Sequence, residues 1–149
     1  MSTTLSTDLN RSTKRFNDYA GDLISSGDNT FLDRLGMFLA FCSDDPVLGE
    51  ICQKFSAVNC GTAEGWYNRQ KPQRLMVFPV NSNERAALQL KILTAIHDRH
   101  LTMEHFVNDF HLFKKGNFPS RTAAFCDSVV EPLCREINYK LEDLCQAED

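Results

Sequence analysis

The residues best suited to chemistry concentrate between positions 61 and 121. That stretch holds all four histidines, His97, His100, His105 and His111, and the only tryptophan, Trp66. Zinc requires three or four nitrogen or sulfur donors that converge, usually from fixed spacings such as HExxH. His97 and His100 stand three residues apart and could share a helix face, whereas His105 and His111 project from the polar side of the next helix. No cysteine is close in sequence to complete a set, so neither a metal nor another cofactor is expected. The six cysteines, Cys42, Cys52, Cys60, Cys126, Cys134 and Cys145, include no CxxC pair. Four of them fall on apolar helical stripes, where a thiol behaves as a small hydrophobe, and all six are expected to be reduced.

Arg99 and His105 form a second constellation, in the run Arg99-His100-Leu101-Thr102-Met103-Glu104-His105. A guanidinium offsets charge that develops on phosphorus, and an imidazole exchanges protons near neutral pH. The run resembles the Arg-x(4–6)-His motif of the HEPN superfamily of small helical ribonucleases, with one intervening residue more than its commonest form. The resemblance implies metal-independent RNA cleavage in a dimer cleft. Arg99 would stabilise the strained phosphate, and His105 would assist 2′-hydroxyl attack or protonate the leaving group. His100 would be the polar residue that follows the arginine.

The third constellation is the stretch from Gly61 to Arg74, which interleaves Trp66 and Tyr67 with Arg69, Lys71 and Arg74. Aromatics that stack on bases, set among cations that meet phosphates, are suited to single-stranded nucleic acid. Trp, Tyr and Arg are also the residues enriched where protein interfaces carry their energy, so composition fits a protein partner equally well. A third role for Trp66 is as a plug of the bundle itself.

The remaining sequence excludes several classes. There is no GxxxxGK[ST], GxGxxG or GxSxG pattern, which sets aside P-loop NTPases, Rossmann enzymes and α/β-hydrolases. The net charge of −4 is unevenly spread, at −3 over residues 1–60, +4 over 61–121 and −5 over 122–149. A basic belt between acidic flanks serves either an acidic partner or the fold's own complementarity. No apolar run reaches the roughly 18–20 residues that a membrane span needs, and the polar start of the chain does not read as a secretory signal. A cytoplasmic location without membrane association is therefore expected.

The elements that position these residues read as helices. At 149 residues and 42% apolar content, the sequence predicts a single all-α domain over 1–149. Five or six helices form the expected bundle, with a flexible lead-in at about 1–9 and an irregular segment at about 61–81. Helices are predicted over 10–26, from Thr30 to Cys42 with a Thr30/Asp33 capping box, and from Pro46 behind an Asp45 cap. Residues 82–99 are apolar around most of their circumference and should form the centre of the bundle, with His97 half-buried. A helix from Thr102, ended by Lys114-Lys115-Gly116, is followed by a closing helix over about 120–145. Pro132 should kink that last helix on the side away from its apolar stripe. Leu75-Met76-Val77-Phe78, between two prolines, is expected to lie extended over the core. The leading functional expectation is a non-enzymatic protein-interaction or self-association module that uses Trp66, Tyr67, Arg69, Lys71 and Arg74. The ribonuclease built on Arg99 and His105 is the alternative, and nucleic-acid binding without cleavage is the third.

Overall fold

Short polar side chains start most of the helices, and apolar stripes decide which faces they bury. The computed structural model describes residues 3–114 and 116–148; Met1, Ser2 and Lys115, which entered the predicted lead-in and helix stop, lie outside them. Seven helices and no strand form among the described residues, an all-α architecture with slightly more helices than predicted. They are α1 (Thr3–Ile24), α2 (Phe31–Asp44), α3 (Pro46–Ser56), α4 (Ala63–Gln70), α5 (Ser82–His97), α6 (Met103–Asp109) and a long α7. The last runs without a break through Arg121–Phe125, a π-helical turn at Cys126–Val130 and Glu131–Glu148.

Helix α1 begins well before the predicted residue 10. Leu9, Phe16, Ala20 and Leu23 are all buried along it, and Ser12 donates to Asp45 Oδ1 at 2.9 Å, which ties the helix to the start of α3. Asp45 caps α3 as expected, its Oδ2 accepting from the Val47 and Leu48 amides, both at 3.0 Å. The predicted box on α2 does not form. Thr30 makes no side-chain cap bond there; its hydroxyl turns back to accept from the Gly27 amide at 3.0 Å, so the loop takes the group that the helix would use. Phe31, Leu35, Phe38 and Cys42 nevertheless bury as one stripe.

Helix α5 is the centre. Asn81 Oδ1 accepts from the Asn83 and Glu84 amides at 2.9 and 3.0 Å, and nine residues of α5 are buried. It packs against α2, α3, α4 and α7. His97 departs from the expectation: it sits at the last turn of α5 and is exposed. In α7 the disturbance at Pro132 is a widened turn. The Glu131 amide donates to Cys126 O, one residue further back than in an α-helix, just before the position where proline supplies no donor. The stripe of Cys126, Val129, Val130, Leu133, Ile137 and Leu141 stays buried through it, while Leu144 is exposed. Helix α6 ends at Asp109, earlier than the predicted lysine stop. Phe110 and Leu112 still turn inward from the following loop, and Phe113 is exposed.

Candidate functional site

The stretch predicted to be irregular, 61–81, is more ordered than expected. Gly61, at φ 79°, takes a backbone conformation that side chains rarely adopt and turns the chain into α4. Thr62 caps that helix, its hydroxyl accepting from the Gly65 amide at 3.0 Å. A 3-10 turn at Lys71–Gln73 follows, closed by Arg74 in the left-handed region (φ 56°, ψ 32°). Residues 75–79 have no helical or ladder pairing, and exposure alternates from Leu75 to Phe78, the period-two signature of an extended chain. Pro79 favours this form, because a proline disfavours helical dihedrals in the residue before it.

Two anchors fix that segment. Trp66 Nε1 donates to Val77 O at 2.9 Å, and the indole stacks on Phe78 with centroids 5.0 Å apart and planes 8° from parallel. The Arg85 guanidinium donates to Val80 O at 3.1 Å and, more weakly, to Pro79 O at 3.5 Å. Trp66 is 4% exposed and also meets Phe106 and Phe110, so it plugs the bundle. Tyr67 is buried beside it and donates its hydroxyl to Asp109 Oδ2. Burial, then the hydrogen bond and charge of Asp109, push the phenol above its usual range. The aromatic half of the predicted binding set therefore faces inward.

The cationic half faces outward. Arg69, Lys71 and Arg74 are exposed and Arg85 is half-buried. None of the four has a carboxylate oxygen within 4.0 Å among the described residues. Lys71 lies over the Tyr67 ring at 5.3 Å, and Arg74 Nη1 meets His111 Nε2 at 2.9 Å. Beside these cations, Leu75 and Val77 are each 52% exposed and Val80 is 95% exposed. Large apolar side chains thus lie next in sequence to cations that have no carboxylate partner among the described residues. Sequence reasoning missed Leu75, Val77 and Val80 as surface residues, because Leu75-Met76-Val77-Phe78 is a continuous apolar run with no polar alternation to mark an outer face.

Arg99 and His105 occupy a different part of the molecule's architecture. Arg99, at φ 66°, is the left-handed residue that closes α5, a position glycine usually holds, while the His100 amide returns to Ala95 O at 2.9 Å. His105 is exposed in the first turn of α6, where its amide donates to the Thr102 hydroxyl at 3.2 Å. Neither side chain makes a hydrogen bond or ion pair among the described residues. A groove of about 730 Å³ between α2, α3, α5 and the start of α4 takes in His97, Asp98 and His100 but neither Arg99 nor His105. The described residues contain no group of three or more potential metal ligands, and none of their helices is long and apolar enough to cross a membrane.

Fold and surface together define an all-helical bundle with one extended, anchored segment on its face. Comparison with protein-family models finds none that matches, and comparison with curated proteins and with solved structures finds no match either.

Proposed function

We propose that the protein is a non-enzymatic interaction module that docks a protein partner on the face formed by Arg69, Lys71, Arg74, Leu75, Val77 and Val80. The observation that carries this is the exposure of Leu75, Val77 and Val80 on a segment pinned by Trp66 and Arg85. An apolar surface held in one conformation loses little entropy on binding, and contiguous exposed apolar groups rimmed by charge favour association. Burial of Trp66 and Tyr67 supports a protein over single-stranded nucleic acid, because it removes the stacking platform that bases require.

Site-specific photocrosslinking tests the proposal. A photoreactive residue replaces Val77 in one variant and Met37, an equally exposed residue on α2, in another. Crosslinks to a protein from position 77 alone, reproduced with that protein purified, are the expected result. Equal or absent crosslinking from the two positions refutes docking on this face.

A further inference from the structure

The hydrogen bonds of the 75–80 segment specify what kind of partner the face accepts. In an extended chain the N–H and C=O of one residue point to the same edge, and those of the next residue point to the opposite edge. Val77 O faces Trp66, so the backbone groups of Leu75, Val77 and Pro79 belong to the inner edge. The groups of Met76 and Phe78 then belong to the outer edge. Among the described residues, no backbone–backbone hydrogen bond reaches residues 75–80 and no side chain bonds the Met76 or Phe78 backbone. Pro79 lacks an N–H on the inner edge only, so the proline leaves the outer edge complete.

Unpaired donors and acceptors in that arrangement are satisfied by another extended chain. Side chains of such a chain would alternate, half of them lying over Leu75 and Val77. Charge selects among extended chains. Lys71 and Arg74 sit at the entry to the segment and Arg85 beneath its end, all without carboxylate partners among the described residues. A second copy of this segment would bring like charges together, whereas an acidic strand would neutralise them.

We infer that the outer edge at Met76 and Phe78 pairs with an extended, acidic peptide strand of a protein partner, whose alternate apolar side chains cover Leu75 and Val77. This rests on the docking proposal above and adds the class of partner. The unpaired edge, the alternating apolar residues and the cations without carboxylate partners among the described residues all suit the same ligand.

Selection of a random decapeptide library displayed on phage against the purified full chain tests it. The expected result is enrichment of sequences rich in Asp and Glu with apolar residues at every second position. Synthetic versions should weaken about tenfold when the amides facing Met76 and Phe78 are N-methylated. They should also weaken about tenfold against the K71E/R74E double variant, and about threefold as salt rises from about 50 to about 200 mM. Enrichment of basic or helix-period sequences, the absence of enrichment, or indifference to N-methylation each overturns the inference. So does a peptide-free chain that dimerises through residue 77, since the occupant would then be a second copy. Crosslinking from position 77 to a partner that lacks an acidic strand would remove the partner class and leave the docking face intact.

Discussion

Trp66 separates a core role from an interface role by magnitude. Trp66→Ala removes a ring that is 4% exposed and stacked or tilted against Phe78, Phe106 and Phe110, together with the bond to Val77 O. Truncating a buried tryptophan costs about 3–5 kcal/mol, against a total stability of about 5–15 kcal/mol for a domain. For a chain of this size the melting temperature should fall by roughly 10 °C. Trp66→Phe keeps most of the apolar contact and loses the indole N–H, at a cost of about 1 kcal/mol. That smaller loss should be local, speeding trypsin cleavage after Arg74 about fivefold while the remaining helices stay protected. Thermal unfolding followed by circular dichroism, with limited proteolysis in parallel, measures both. A Trp66→Ala chain that melts within about 2 °C of wild type would refute the assignment of Trp66 to the core.

The other predictions concern caps, pH and RNA. Asp45→Ala removes acceptors for the Val47 and Leu48 amides and for the Ser12 hydroxyl, and should cost about 1–2 kcal/mol in urea unfolding. Burial pushes the Cys126 and Cys134 thiols from 9.0 up to about 12, assisted by Glu131 on both and by the nearby Cys126 on Cys134. Between those values the unfolded thiols ionise while the folded ones keep their protons, so stability is complete below pH 9 and falls as pH rises toward 12. Each thiol contributes about 1 kcal/mol per pH unit to that slope, and Cys134→Ala should make it shallower. Single-stranded RNA incubated with the purified chain and a chelator should stay intact, and Arg99→Ala and His105→Ala should change nothing. Cleavage that His105→Ala abolishes would instead establish the ribonuclease.

The sequence specified the helices wherever a short polar residue met an apolar stripe. Asp45, Asn81 and Thr102 were legible as caps because the bond each makes is local, and α5 was legible as the centre because nearly every face of it is apolar. Thr30 failed because two local amide donors compete for one hydroxyl oxygen, and the Gly27 amide wins it. Helix α4 was half visible: Thr62 with Glu64 in the first turn is a start signal, but the glycines around it obscured the element. At the candidate site the residue types were readable and their directions were not. Trp66 turns inward because Val77 O and Phe78 meet it from eleven and twelve residues away, a tertiary pairing that no local pattern encodes. The same pairing sets which edge of the segment is free. Arg69, Lys71 and Arg74 were visible as charges, whereas their want of carboxylate partners among the described residues appears only once the chain is folded.

The most direct test of docking at the 75–80 face is the binding of its crosslinked partner, or of a selected peptide, to the L75D/V77D double variant. Both side chains are more than half exposed, so the variant should unfold within about 0.5 kcal/mol of wild type. Titration by fluorescence anisotropy should show binding lost by at least about tenfold in the folded variant, since two charges would be buried against an acidic ligand. Unchanged affinity in a normally folded L75D/V77D chain would contradict the assignment of this face.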